Sequence, residues 1–384
     1  MKVAFLAESF LLDPSTEVNG TQVQLYNLAQ GFARRGMDVH YIASTGKRGK
    51  DCEIISGIKL HWIMPRSGVF SGILNFRAYF DMLDQIHPDV VYQRGRSYLT
   101  YIATDWAKKN RKKFVWASNG ENGCDLWKNI KRLMKSRSPL WKKMLLSPNA
   151  LLQDILIHKG LRGTESVVNQ TEHQREKLWR NFQKNGVLVP SYFPKLREEM
   201  EPLKKEKIVL WLANLSVGKQ PEKFIQLAKH CHDCKSWKFI LAGGTKNRAY
   251  FRKISEQAKD VSNLEMLGAV SFKESHKYFA KASLFVNTSI MEGLPNTFVQ
   301  AWLSRTPVLS LIHDPNCWIK THNIGICAEG NLNIFIEKGK ALLNNYKDLL
   351  AMGENCQKFA LNTFATEKIV DTYIELFRET SYAS

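Results

Sequence analysis

The chain has 384 residues, 44% of them hydrophobic, which is enough for two ordinary domains with folded cores. No run of 18 or more apolar residues occurs, which excludes a helix that spans a membrane. The net charge of +19 is concentrated between Asp105 and Arg162, where fourteen Lys/Arg face four acids, so this stretch points to an anionic partner.

Seven cysteines form no disulfide pattern in a chain of this length, as expected for a reduced, cytosolic protein. The start, MKVAFLAESFLLDP, carries Glu8 and Asp13 and reads as a first strand rather than a signal peptide. That strand is predicted over Lys2 to Ala7. After a loop come Asn19-Gly20 and an amphipathic helix from Gln22 to Arg35, capped by Gly36, then a strand from Asp38 to Ala43. Strands follow at Ile58 to Met64, Asp89 to Tyr92 and Lys113 to Ala117, with helices near Ile73 to Ile86 and over Ser97 to Asn110. The turn Ser118 to Gly123 is polar and glycine-rich.

From Cys124 to Leu161, Trp127, Ile130, Leu133, Met134, Trp141, Met144 and Leu145 interleave with lysines and arginines, broken at Pro139 and Pro148. Two readings stand here: a segment that docks on a membrane surface, or a solvated helix pair. Ser166 to Asn169 resumes the sheet, and Thr171 caps a helix to Asn181.

The proline-bearing stretch Val187 to Lys207 reads as a connection, with the linker at 191–207. A strand from Ile208 to Leu212 enters the turn Ala213 to Pro221, in which Lys219 lies just before a helix from Glu222 to Lys229. The strand Lys238 to Ala242 ends in Gly243-Gly244, a turn that lets a backbone come close to a ligand. Strand Leu264 to Leu267 and helix Lys273 to Lys281 continue the alternation. The stretch Ser283 to Leu309 then carries a buried strand, a turn with Glu292-Gly293 and Pro295, and a helix from Asn296 with Phe298, Val299, Trp302 and Leu303 on one face. The first amides of that helix, at Asn296 and Thr297, are placed to meet an anion. An acid, a glycine and a helix N-terminus thus converge at the carboxyl end of a parallel strand, where open α/β sheets bind nucleotides. Strands at Val308 to Ile312 and Gly325 to Cys327 and helices between Ile334 and Phe377 complete the pattern.

Other chemistries lack their motifs. No GxGxxG follows the first strand, no GxxxxGK[ST] loop exists, and no two aspartates sit two apart. His230-Cys231-His232-Asp233-Cys234 contains a single CxxC, weak support for zinc, and no metal is expected.

The Ser283–Leu309 segment resembles the signature of the GT-B glycosyltransferases of family 4, a glutamate followed eight positions later by a second. Here the pair is Glu292 and Gln300. The resemblance implies an α/β fold of two Rossmann-like doubly wound domains facing a central cleft. Its expected divisions are an acceptor-side domain at 1–190, the linker, a nucleotide-sugar domain at 208–365, and a helix at 366–384 that crosses back to the first domain. It also implies that Glu292 orients the donor sugar, that Lys219 meets the diphosphate, and that Gln300 takes the place of a ribose-binding carboxylate. Asn214 stands where the family usually has an arginine. Gly20, Gly243, Gly244, Asn296 and Thr297 complete the expected donor contacts, and Asn119 or Asn122 stands where many members have a sugar-contacting histidine. The implied activity is retaining transfer of a UDP- or GDP-linked sugar to a saccharide or lipid-linked hydroxyl, without metal or other cofactor, at the inner face of the plasma membrane. Two other classes stay open: a nucleotide-sugar-binding protein without turnover, suggested by Asn119, Asn214 and Gln300, and a nucleic-acid binder, suggested only by the charge.

Overall fold

The computed structural model describes residues 1–12, 19–44, 52–64, 75–136, 138–194 and 204–379. They form two compact units, Met1–Pro194 with Thr366–Ser384, and Lys195–Ala365.

The first unit begins with β1 (Lys2–Leu6), α1 (Gly20–Arg34), β2 (Asp38–Ser44), β3 (Cys52–Ile55), β4 (Ile58–Ile63) and α2 (Phe76–Ile86). It continues through β5 (Val90–Arg94), α3 (Leu99–Asn110), β6 (Lys113–Ala117), α4 (Lys128–Lys135), α5 (Leu140–Gly163), β7 (Ser166–Asn169), α6 (Glu172–Phe182) and β8 (Val187–Leu188). The strand order is β3-β4-β2-β1-β5-β6-β7-β8, parallel except for the β3–β4 pair. From β1 the chain winds outward to one side, then returns to β5 on the other flank, so the winding reverses between β1 and β5. Val3 and Phe5 face one core with Phe32 and Tyr92, while Ala4 and Leu6 face a second with Trp106 and Trp116. Burial on both faces is why these strands read as continuous apolar runs.

The C-terminal helix, Glu367–Arg378, packs in this same unit. Its Phe377 ring lies 5.2 Å from Phe32, and Tyr192 donates to Glu367 Oε1 at 2.7 Å. Burying Tyr373 and Phe377 contributes roughly 2–3 kcal/mol each.

Four local expectations change here. Asn19, which the sequence suits to a left-handed turn before Gly20, is instead the extended N-cap of α1 at φ −128°, and its side chain and that of Gln22 form a reciprocal capping box. Pro148 does not break the basic segment, because α5 runs through it. A proline cannot donate to the carbonyl four residues back, and the Ser147 hydroxyl bonds that carbonyl, Met144 O, at 3.0 Å instead. Strand β3 was not foreseen, and β8 occupies the start of the stretch assigned to the connection. Residues 195–203 of that linker, Arg137 of the basic segment, residues 73 and 74 of the second helix and the tail at 380–384 lie outside the described residues.

The second unit runs β9 (Glu206–Leu212), α7 (Pro221–His230), β10 (Lys238–Ala242), α8 (Arg248–Lys259), β11 (Leu264–Gly268), α9 (Phe272–Lys281) and β12 (Ala282–Asn287). It ends with α10 (Asn296–Leu303), β13 (Val308–Ser310), α11 (Trp318–Thr321), β14 (Gly325–Cys327), α12 (Leu332–Asn344) and α13 (Tyr346–Thr363). Its sheet is parallel, in the order β11-β10-β9-β12-β13-β14, so the winding reverses between β9 and β12. Each unit is a doubly wound Rossmann-like α/β layer, the expected fold class.

Candidate active site

In a doubly wound sheet the loops that leave the two strands at the reversal part to opposite faces and open a crevice at the carboxyl edge. In the second unit those strands are β9 and β12. Their loops carry Lys219 and Glu292.

The loop after β9 is held by its backbone. Ala213 N–H donates to Ala242 O at 3.2 Å, and Leu215 N–H to Gly244 O at 2.8 Å. A Cβ at Gly243 would run into the Ala213 carbonyl oxygen, and one at Gly244 would lie 2.8 Å from the Ala269 Cβ. The backbone that Gly243 admits is therefore that of the Lys219 loop. Pro221 opens α7 and disfavours the α region for the residue before it. Gln220 is neither α nor extended but sits at φ 45°, ψ 55°, a left-handed position that costs about 1 kcal/mol in a non-glycine residue. The loop after β12 fastens onto the same turn. Ile290 N–H donates to Gly218 O at 2.8 Å, the Thr288 hydroxyl to Lys219 O at 2.7 Å, and Trp211 Nε1 to that hydroxyl at 2.9 Å.

This framework brings the Lys219 ammonium onto Glu292 Oε1 as a hydrogen-bonded ion pair. The carboxylate is 16% exposed and the ammonium side chain 31%, so both stay open to a ligand. Four residues after Glu292, α10 begins with Pro295 as its N-cap and no side chain capping it. The first N–H groups of any helix lack intrahelical partners, and those of α10 begin at Asn296 and Thr297. Gln300 lies on the same helix, 6% exposed, its Nε2 3.4 Å from Ser275 Oγ. Asn214, in the loop after β9, is exposed and makes no hydrogen bond or ion pair among the described residues. Thr288 and Trp211 were not singled out from the sequence. The available signal was a tryptophan in a buried strand, whose N–H needs an acceptor.

Gln300→Glu offers a test of the contact with ribose. A charged acceptor in place of the amide oxygen strengthens a hydroxyl hydrogen bond by about 1 kcal/mol, so nucleotide affinity is expected to rise several-fold by calorimetry. Unchanged affinity with a lower melting point would remove Gln300 from the ribose.

In the first unit Gly20 opens α1, and Asn119 lies beside it, its Nδ2 donating to Thr21 Oγ1 at 2.5 Å. Asn122 lies in the short 3-10 turn Glu121–Cys124. Arg94, 4% exposed, ends β5 and bonds only neutral oxygens: Tyr92 Oη, Tyr373 Oη at 2.8 Å, Gln24 Oε1 at 2.8 Å and Ser118 O. It ties the C-terminal helix to the turn that carries Asn119.

The family model for glycosyl transferases group 1 matches residues 193–359, and that for glycosyltransferase family 4 matches residues 18–186. The chain belongs to this family of GT-B glycosyltransferases. It is 24% identical over 217 residues to a poly(ribitol-phosphate) alpha-N-acetylglucosaminyltransferase of Staphylococcus aureus, covering 55% of this chain and 43% of the relative. It is 20% identical over 325 residues to the alpha-monoglucosyldiacylglycerol synthase of Acholeplasma laidlawii, covering 80% of each. The fold matches sucrose-phosphate synthase from Thermosynechococcus elongatus with a TM-score of 0.72 at 14% identity, over 100% of both chains. It matches HepE from Anabaena, solved with UDP and glucose, with a TM-score of 0.71 at 15% identity, over 99% and 100% of the two chains.

Proposed function

We propose that the protein transfers a sugar from a UDP- or GDP-linked donor to a hydroxyl of a saccharide or lipid-linked acceptor, with retention, in the synthesis of surface polysaccharide or glycolipid. The observation that carries this reading is the Lys219–Glu292 pair at the β9/β12 reversal, beside the N-terminus of α10. A sugar diphosphate presents an anion and, next to it, a ring of hydroxyl donors. A lysine that accepts the anion and a carboxylate that accepts the hydroxyls match those two halves. The bond from the anomeric carbon to the phosphate oxygen breaks with its electron pair leaving on the diphosphate. Lys219 and the amides of Asn296 and Thr297 meet that charge without a metal. The acceptor oxygen bonds the anomeric carbon, and its proton passes to the departing phosphate. Gln300, with Asn214, Gly243 and Gly244 in the adjoining loops of the same unit, completes the donor contacts in this reading. The test is turnover: a UDP- or GDP-sugar should be consumed and its nucleoside diphosphate released with a glycosylated product of unchanged anomeric configuration. Tight nucleotide binding with no turnover would make the protein a nucleotide-sugar binder instead.

Two relatives named above are, by name, a poly(ribitol-phosphate) glycosyltransferase and a glucosyldiacylglycerol synthase, and this chain carries a surface suited to a lipid interface. No helix among the described residues is long and apolar enough to cross a membrane. On α5, Leu140, Trp141, Met144 and Leu145 are each about two-thirds exposed or more, and they share one face with Leu151 and Ile155. On α4 the cations Lys128, Lys131, Arg132 and Lys135 lie opposite Ile130, Leu133 and Met134. This segment, 127–146, docks on an anionic membrane surface, each cation near it adding about 1 kcal/mol. Vesicles with anionic lipid should sediment the protein in a salt-sensitive way. Changing Lys131, Arg132, Lys142 and Lys143 to Gln should reduce binding at least tenfold. Equal binding to neutral vesicles would refute the electrostatic part of this docking.

A further inference from the structure

We propose that the carboxyl edge of the N-terminal sheet holds an acceptor subsite in which Glu8 takes a hydroxyl and Lys128 an anionic group, phosphate or carboxylate, of the same acceptor. This rests on the glycosyl-transfer reading above and names a chemical class for the acceptor.

The first unit has its own reversal point, between β1 and β5, and its crevice is the place for a ligand on that sheet. Glu8 lies two residues past β1, while Arg96 and Ser97 follow β5. Glu8 is exposed, and its backbone oxygen accepts from Ser44 Oγ at 2.5 Å. Ser97 lies beside the Glu8 carboxylate, so the two loops of the crevice meet there, and the Lys128 ammonium lies within electrostatic reach of the same group.

Lys128 is poorly explained as a structural residue. It is the first residue of α4, where the helix dipole disfavours a cation, and no acid accompanies it in the first turn. Trp127 before it is left-handed at φ 56°, ψ 39°, an outlier for a bulky side chain. Its N–H reaches His158 Nε2 at 3.3 Å, and its ring packs 4.7 Å from the same imidazole. The start of α4 already has its anion: Asp154 accepts from the N–H groups of Asn129 and Ile130, each at 3.0 Å. Asp154 also pairs with Arg96 at 3.1 Å, with both side chains at 1% exposure or less. The other nearby acid, Asp125, pairs with Lys177 at 2.7 Å. Asp154 and Asp125 are thus engaged, which leaves the Glu8 carboxylate as the acid within reach of Lys128. Half-buried Lys128 makes no hydrogen bond or ion pair among the described residues.

Burial and the neighbouring guanidinium groups of Arg96 and Arg132 hold the Lys128 ammonium below the usual lysine range. A cation kept half out of water beside two others is disfavoured until an anion arrives. Arg132, one turn along α4, extends the same positive field. Strain and an uncompensated charge persist where the surrounding structure enforces them, and such places cluster at binding sites. The buried Arg96–Asp154 pair supplies that enforcement, because it fixes the start of α4 against the end of β5.

The test titrates the full chain with sn-glycerol 3-phosphate and glucuronate against glycerol and glucose, by calorimetry at low salt. The anionic probes should bind at least tenfold tighter than the neutral ones. Lys128→Gln should remove that preference, Lys128→Arg should keep most of it, and Glu8→Gln should weaken all four probes several-fold. Melting curves show whether each variant is folded. Displacement of glycerol 3-phosphate by vesicles containing 30% phosphatidylglycerol would identify a lipid headgroup as the source of the anion. Displacement by glucuronate alone would identify an acidic saccharide. Equal binding of anionic and neutral probes, or a preference that survives Lys128→Gln, would overturn the subsite. Failure of the transfer reading shows elsewhere, as inability of the unaltered chain to bind UDP or GDP.

Discussion

Lys219→Ala is expected to lower the rate of sugar transfer by about two to three orders of magnitude. Removing one preorganised donor aimed at developing negative charge costs roughly 3–4 kcal/mol in the transition state. The substitution also leaves Glu292 without its ion-pair partner. For a pair this accessible to water the stability change is small, about 1 kcal/mol or less, so the variant should fold and melt within a few degrees of the parent. Affinity for UDP or GDP should fall together with the rate if the proposed contact of this ammonium with the diphosphate is made in the ground state. Normal turnover in the folded variant would remove Lys219 from the mechanism.

Glu292→Gln separates the sugar from the diphosphate. Glutamine keeps the shape and one acceptor oxygen but loses the charge, and a hydrogen bond to a charged group is worth about 1.5–3 kcal/mol. Transfer should slow about 10- to 100-fold. Binding of the nucleoside diphosphate product, which carries no sugar, should be unchanged or slightly tighter, since Lys219 no longer has a carboxylate competing for it. A variant that lost product affinity and kept its rate would place Glu292 on the ribose or phosphate. In the double variant Lys219→Ala, Glu292→Gln the two losses should not add, as expected for side chains that act on one donor through direct contact.

The order of strands and helices was legible in the chain because it rests on local periodicity. Apolar runs four to seven residues long alternate with helical spacing from Lys2 to Phe377, and that alternation calls for parallel sheets wound in both directions. Lys219 and Glu292 were singled out by the resemblance to the family's signature, with local turn chemistry in support. Each lies in a turn between a strand and a proline-marked helix start, and turn chemistry is written in adjacent residues. The short edge strands β3 and β8 were not legible. A strand of two to four residues at the rim is too short to show a period, and its partner across the ladder decides whether it forms.

The local sequence by itself determined the fold class, the two runs of strand-helix alternation, the basic Trp/Leu-containing stretch and the candidate residues of the donor turns. Tertiary structure alone decided what those residues meet. The Lys219–Glu292 pair joins positions 73 apart in sequence, and Arg96 meets Asp154 across 58. Neither pairing follows from spacing, because each depends on which strands become neighbours at a reversal of the sheet. Pro148 and Asn19 differ from these, because their partners lie within one turn of the chain. A proline or an asparagine carries a preference for one local geometry, and whether that preference prevails depends on the partners nearby. Ser147 takes the carbonyl that Pro148 leaves free, and Gln22 returns the cap that Asn19 offers. Backbone preferences of about 1–3 kcal/mol are of the same size as one or two satisfied hydrogen bonds, so at these two positions hydrogen bonds within one turn, rather than tertiary contacts, set the outcome.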